Sequence, residues 1–381
     1  MEEFKNRAAV IVDSGSACCR AGLAGEENPR CCIPALVAAA RRQHENGGND
    51  QHFVVGQAAA AQGHRLGRAG TVRSPSWRGV TTDWQALEVL WHHVFYKQLK
   101  MAPEDQAVFV TDSPFDPTTC REKVCELLFE QFGVPALFVG HAPTLALYAS
   151  GCISGLVLEL GHGGSRVTAV HEGWTLARPG IRVDTGGYDL TAYMATLLSA
   201  AGNHFGAHLW HVVRNIKEQC CYVALDAKAE TARRKADLLI EYKLPDGKVI
   251  TLGNERFWCP ELLFQPSLRG LSDPGISAMI SDCLARAPQG TRPSLTNKVL
   301  LIGGGASLPG LIARLQSELK NLASAGQLVP PGTVVCIPST QMLTVWRGAS
   351  IVAATEPFQE CWLTHDTYKE MGSFAVHHYC Y

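Results

Sequence analysis

The stretch VLELGHGGSRVTAV, residues 157–170, reads as a strand, a glycine turn and a second strand. Val157, Leu158 and Leu160 end a buried apolar run, Gly161, Gly163 and Gly164 make the turn, and Val167 to Val170 leads away. Such a turn can close its backbone N–H groups on a phosphate, because no Cβ holds the ligand off. Its side chains fit hydrolysis poorly. Glu159, His162 and Arg166 stand where a nucleotide hydrolase would be expected to hold aspartates that organise a metal and water.

The same grammar occurs at the start of the chain. RAAVIVDSGSACCRAGLAG (7–25) opens with a strand at Ala8 to Val12, turns at Asp13 to Ser16 and resumes from Cys18 to Leu23, so that Asp13 and Gly15 correspond to Glu159 and Gly161. A third glycine element, NKVLLIGGGASLPGLIARLQSEL (297–319), runs from a buried strand through Gly303, Gly304 and Gly305 into an amphipathic helix bearing Leu308, Leu311, Ile312 and Leu315. Two hairpins and a glycine strip in this order suit ATP: the turns bind phosphates and the strip lets adenosine lie against main chain.

Between these elements the pattern alternates strand and helix. VTTDWQALEVLWHHVFYKQL (80–99) predicts a helix with a Thr82–Gln85 capping box. VFVTDSPF (108–115) predicts a buried strand. DPTTCREKVCELLFEQFG (116–133) predicts a helix capped by Asp116, with Pro117 at its first position and Gly133 at its stop. ALFVG (136–140) is a short strand before a helix that ends at Gly151. Residues 38–51 are polar and glycine-containing and read as an exposed loop. The fold class is α/β, with a duplicated unit.

A chain of 381 residues is long enough for two domains. The apolar fraction of 46% and charged fraction of 18% are those of a globular protein. A net charge of −1 gives no field that would attract nucleic acid or anionic membrane. The basic stretch His64 to Arg78 reads as a solvated loop. No run of ~18 apolar residues predicts a membrane span, and MEEFKNRAAV lacks the apolar core of a secretory signal. The 14 cysteines are scattered without C-x-x-C spacing, which predicts reduced thiols in a cytoplasmic or nuclear protein rather than zinc ligands or a disulfide framework.

These elements, with LWHHVFYKQL (90–99), LYASG (147–151), KEQCCYVALD (217–226), VWRGASIVA (345–353) and above all YKLPDGKVITLGNERFWCPELLFQPS (242–267), resemble actin along the whole chain. The resemblance implies a duplicated ATPase fold with four subdomains around a central cleft that holds ATP or ADP with Mg2+ or Ca2+. It implies a first lobe of residues 1–148 and 343–381, with a small subdomain at about 36–74, and a second lobe of residues 149–342, with an outer subdomain at about 186–273. The partner-binding loop of the second subdomain falls at Arg41 to Gln51.

Carried over residue by residue, the resemblance assigns phosphate contacts to Asp13, Gly15, Ser16, Arg20, Gly161 and Gly163. Arg20 replaces a lysine and Ala17 a glycine. Lys217 and Glu218 take the purine and ribose side, Gly187 and Asp189 the ribose edge, and Gly303 and Gly304 the adenosine strip, while Met342 and Leu308 replace a lysine and a tyrosine of the cleft. The metal association falls to Asp13 and Glu159 through water; His162 removes an oxygen ligand that magnesium would prefer. The two groups that orient the attacking water read Ala142 and Arg166, so no catalytic residue is assigned. Alanine cannot bond a water, and arginine stays protonated. Arg166 could instead grip the terminal phosphate without turnover.

The family's partner cleft keeps Tyr148, Ala149, Gly151, Gly173 and Ile351, but Arg347 enters an aliphatic place and Pro357 sits on the rim. An arginine there disfavours the usual amphipathic helices or selects others. The segment RRQHENGGND (41–50) lacks the apolar residues that plug into a neighbouring subunit, and residues 272–294 carry proline and glycine at another filament contact, which speaks against free self-polymerisation. Outside the site, His92-His93 reads as a structural pair, His377-His378 as a frayed tail, and Cys18 and Cys19 as small buried residues rather than nucleophiles. Trp84, Trp91 and Trp362 read as anchors.

The expected function is that of an actin-like structural protein, a subunit or cap in a cytoskeletal assembly of the cytoplasm, holding ATP or ADP with little or no hydrolysis. Its expected partners are cytoskeletal or actin-family proteins, with no direct nucleic acid contact. Two alternatives stay open: a polymerising ATPase like conventional actin, and an actin-related adaptor in a nuclear chromatin-remodelling complex. Divergent, cysteine-rich members of the family point by analogy to male germ cells.

Overall fold

The computed structural model describes residues 3–43, 49–66, 72–326, 335–338 and 340–380. The chain divides into two compact units: Met1–Ile153 with Glu172–Thr175 and Met342–Tyr381, and Ser154–His171 with Leu176–Gln341.

The first unit is built on a six-stranded sheet in the order Leu363–Thr364, Ala136–His141, Val108–Asp112, Val10–Ser14, Cys18–Leu23, Cys31–Pro34. Val10–Ser14 forms the antiparallel hairpin with Cys18–Leu23 and runs parallel to Val108–Asp112. Val10, Ile11 and Val12 are buried consecutively, as a parallel strand covered on both faces requires. Helix Thr344–Ala353 crosses helix Ala142–Ala149 at Gly348, where a Cβ would overlap the Leu145 carbonyl oxygen. The crossing seats Trp346, whose Nε1 donates to Ile11 O at 3.3 Å.

In the second unit the five-stranded order is Trp174–Val183, Ser165–His171, Gly155–Leu160, Val299–Ile302, Val335–Cys336. Each sheet thus contains three consecutive strands, the first of which is parallel to a later strand. This is the duplication anticipated from residues 7–25 and 157–170. Leu156, Leu158 and Leu301 pack with Met194 and Leu198 of helix Gly187–Ala200 and with Val213 and Ile216 of helix Trp210–Cys220.

Several local expectations are corrected. Asp13 and Ser14 belong to the first strand rather than to the turn. The helix after residue 83 is capped by Asp83, whose side chain accepts from Ala86 N at 2.9 Å, and not by Thr82. It spans Trp84–His93 and widens into a π-helical turn over Val94–Leu99. The next helix, Thr118–Glu126, starts after Pro117, which takes the cap position expected for Asp116. Leu308 precedes the helix expected to contain it, because Gly310 (φ +82°) forces the turn before Leu311–Ser324.

Residues 38–51 form most of an antiparallel hairpin, Val37–Gln43 with Asn49–Val55, rather than a loop; 44–48 lie outside the described residues. Helix Gln57–Leu66 occupies the start of the stretch read as a basic loop, and Arg73 there pairs with Asp83 at 3.1 Å; residues 67–71 are outside the described residues. The tail is not frayed: Val376–Tyr379 is helical, and His377 Nε2 lies 2.9 Å from Glu122 Oε1. Arg121 also donates to the Cys380 carbonyl. All 14 cysteines are free thiols, most of them buried. Trp91 and Trp362 are core residues, and Trp84 packs partly buried against the same core as Trp91. No helix among the described residues is long and apolar enough to cross a membrane.

Candidate functional site

Asp13, Glu159 and Gly303 stand at or just past the carboxyl ends of parallel strands, the edge where α/β sheets bind ligands, while Arg20 lies on an antiparallel strand and Lys217 and Glu218 on a helix. In the first unit Asp13 and Ser14 end their strand, and Ala142 opens the helix that follows Ala136–His141. The hairpin register puts Asp13 directly opposite Arg20 and Ser14 opposite Cys19. Arg20 Nη1 donates to Asp13 Oδ2 at 3.0 Å, and Thr111 Oγ1 donates to Oδ1 at 2.7 Å. Both side chains of the ion pair are mostly buried, at 15% and 14% exposure. Gly15 N closes the turn on Cys18 O, and Trp91 Nε1 donates to Ser14 Oγ at 2.9 Å. Burial pushes the Cys18 thiol up to about 11, which leaves little thiolate and bears against a nucleophile.

The second hairpin repeats the device. Glu159 stands directly opposite Arg166, and Arg166 Nη1 donates to Glu159 Oε1 at 3.2 Å; the side chains are 8% exposed for Arg166 and 29% for Glu159. Gly161 N donates to Gly164 O at 3.0 Å and tightens the turn. Main chain lies against main chain there: a Cβ on Gly164 would come 2.6 Å from Val183 O. Gly187 N and Tyr188 N, the first amides of helix Gly187–Ala200, donate to Gly161 O and His162 O, both at 2.9 Å. That helix end therefore holds the hairpin turn. Asp189 accepts from Gly186 N at 3.0 Å, which makes it a cap in this helix beyond any ribose role.

Gly161, Gly187 and Lys217 form one connected group, since Lys217 Nζ donates to Gly187 O at 2.9 Å and to Thr191 Oγ1 at 3.0 Å. Burial lowers the Lys217 ammonium below its ordinary range. Glu218 is half-exposed and accepts from Arg214 Nε at 2.8 Å. Gly303 has φ +88°, and a Cβ there would meet Leu160 O at 2.6 Å, whereas a Cβ on Gly304 would meet nothing within 4 Å. This uncovered glycine main chain fits the expected nucleoside face.

The carboxylates assigned to the metal are already hydrogen-bonded within the protein. Both oxygens of Asp13 and one oxygen of Glu159 already accept from the protein. Among the described residues no group of three or more His, Cys, Asp or Glu side chains is arranged to hold a metal.

His162 is pushed down to about 4, first by burial and then by Arg214 and Lys217, against the smaller opposing pull of Glu218 and Asp189. Its ring is neutral in the folded protein at neutral pH. The unfolded chain binds this proton near 6.5 and the folded one only near 4, so stability falls as pH drops between these values and the loss is complete below about 4. The loss should amount to ~2 kcal/mol after allowance for partial exposure. Urea titrations at pH 7 and 4.5 should therefore show a smaller acid loss for His162→Gln than for the parent; equal losses would remove His162 as the source.

The expected partner-cleft residues all lie in the first unit. Gly173 sits against Tyr148, whose Oη would be 2.5 Å from a Cβ at that position, and Gly173 N donates to Ile153 O at 2.7 Å. Gly151 (φ +68°) follows the helix that carries Tyr148 and Ala149. Ile351 is exposed. Arg347 folds onto the segment before the third strand, with Nε donating to Glu27 O at 2.9 Å. Trp174 and Ile153, exposed beside Gly173, were not anticipated; the tip sequence Glu172-Gly173-Trp174, with Glu172 at φ +50°, is the signal that carried them.

Comparison with known proteins agrees with this geometry. The Actin family model matches residues 4–381. Actin-like protein 7B of Mus musculus is 38% identical over 379 residues, covering 98% of this chain and 88% of the relative. Actin-like protein 7B of Homo sapiens is 36% identical over 378 residues, with the same coverages. Actin-like protein 9 of Bos taurus is 35% identical over 376 residues, again covering 98% and 88%. A family match along nearly the whole chain, with the duplicated sheets and their glycine hairpins, has one meaning: the chain belongs to the actin family.

Proposed function

We propose that this protein is an actin-like structural subunit or cap that holds ATP or ADP as a folding ligand and hydrolyses it slowly or not at all. The observation that carries this reading is the Glu159–Arg166 ion pair across the second hairpin. A group that orients an attacking water must accept a hydrogen bond or a proton, and a guanidinium does neither. Here its charge is also committed to Glu159. Ala142 offers only a methyl group in the other orienting place. Phosphoryl transfer depends on positioning and electrostatics, so both losses act on the barrier and leave binding to the glycine backbone.

A retained nucleotide stabilises the fold by mass action alone and needs no turnover. Partners drawn from cytoskeletal or actin-family proteins would use the face around Tyr148, Gly173 and Ile351, and the setting would be the cytoplasmic cytoskeleton. Freshly purified protein, denatured and analysed by chromatography, should release close to one nucleotide per chain, with ATP intact after days. Less than about a tenth of a mole per mole would overturn the holding reading, because the ligand could then not stabilise most molecules. ADP accumulating with free phosphate would favour the ATPase alternative.

A further inference from the structure

We propose that Cys18 and Cys32 form a redox-sensitive dithiol, which a hydroperoxide closes into a disulfide between two neighbouring strands of the first unit's sheet. Strands Cys18–Leu23 and Cys31–Pro34 pair antiparallel, with Cys18 opposite Pro34 and Arg20 opposite Cys32. Alternation puts Cys18, Arg20 and Cys32 on one face, and Cys19, Ala21, Cys31 and Ile33 on the other, which enters the core. Cys18 and Cys32 are diagonal neighbours on the outer face, and their thiols are hydrogen-bonded to each other. Cys32 is exposed and Cys18 half-buried. The Arg20 guanidinium interacts with both sulfurs.

The core face carries a second pair with the same register offset, Cys19 and Cys31, and both are buried. Burial raises these two thiols and keeps an oxidant from them. Equal register with unequal exposure makes the outer pair the reactive one. Strand Cys31–Pro34 lies at the edge of its sheet, so it can shift to bring the diagonal Cβ atoms within bonding reach. The reaction takes two steps. The Cys32 sulfur attacks one peroxide oxygen: an S–O bond forms, the O–O bond breaks, and the other oxygen leaves as an alcohol or water with the thiol proton. Cys18 then attacks the Cys32 sulfur: the S–S bond forms, the S–O bond breaks, and the hydroxyl leaves as water with the Cys18 proton. The two sulfurs together give up two electrons and the peroxide takes them. Burial pushes Cys18 up to about 11, so it is a poor first attacker, but as the second it already touches its target. No nucleotide takes part.

The test is treatment of the folded full chain with hydrogen peroxide, then alkylation and digestion without reductant. The 14 free thiols should fall by two and return with dithiothreitol. Trypsin cuts after Arg7, Arg20, Arg30 and Arg41, so the bond should join residues 8–20 to residues 31–41. Fragmentation of the joined peptides separates Cys18 from Cys19 and Cys32 from Cys31. No bond, a bond at Cys19–Cys31 or elsewhere, or Cys32 carried to sulfinic acid while Cys18 still alkylates would overturn the proposal. Cys32→Ser should leave Cys18 reduced at the same dose, and Cys18→Ser should leave Cys32 as a sulfenic acid that dimedone traps. Oxidation of Cys18 at the parental rate in Cys32→Ser would sink the two-step order. The map of the parent chain decides the bond even if neither variant folds.

Discussion

Changing Ala142 to Gln and Arg166 to His together should raise phosphate release by about 100-fold, equivalent to ~2.7 kcal/mol of barrier. The glutamine would restore an amide side chain at the start of helix Ala142–Ala149, at the carboxyl end of the parallel strands. The histidine would restore a ring able to accept from water, and the loss of the guanidinium would release Glu159 from its ion pair. Each change alone should give far less, since it restores one of the two groups that the resemblance assigns to the attacking water. Single-turnover phosphate release, read after nucleotide content is checked, measures this. If the variant retains ATP and still releases no phosphate, His162 and Glu159 limit the chemistry as well, and positioning was not the only defect.

The glycine grammar of the sequence was readable because it reflects backbone geometry. Gly303 must be glycine where Leu160 O lies against it, and Gly164 where Val183 O does. The duplicated sheet order followed from the same stretches. Less legible were the side-chain partners, which depend on register. Asp13–Arg20 and Glu159–Arg166 become opposite only once each turn length is known, although the equal spacing in both repeats was a signal present in the residues. Roles given by resemblance also acquired structural duties that no motif shows. Asp189 caps a helix, Lys217 ties two helices through Gly187 and Thr191, and Arg347 bonds Glu27. Residues 38–51 misled because a polar composition is compatible with a hairpin as well as with a loop.

Arg314→Ala should cost about 3–5 kcal/mol, the range for stranding one half of a buried ion pair. Glu261 is 1% exposed and Arg314 9%, and the guanidinium donates to both Glu261 oxygens at 3.1 and 2.9 Å, to Glu318 at 2.8 Å and to Ala224 O at 2.9 Å. It also lies 4.7 Å from the Phe264 ring centre. Glu261 would keep Gln265 Nε2 as a donor, at 2.7 Å, and Glu318 would keep Ser277 Oγ, at 2.9 Å, but the Glu261 charge would stay buried without its cation. Replacing the pair by Arg314→Met with Glu261→Leu should cost less than half as much in urea denaturation, because no charge is then left buried. Equal costs would mean that the loss comes from packing and not from the stranded carboxylate. Arg166 behaves differently for a physical reason. Its partner Glu159 is 29% exposed, so Arg166→Gln should cost the ligand-free fold much less than Arg314→Ala. The Arg314–Glu261 pair is thus closed off in the core, whereas the Glu159–Arg166 pair keeps its carboxylate partly open to solvent.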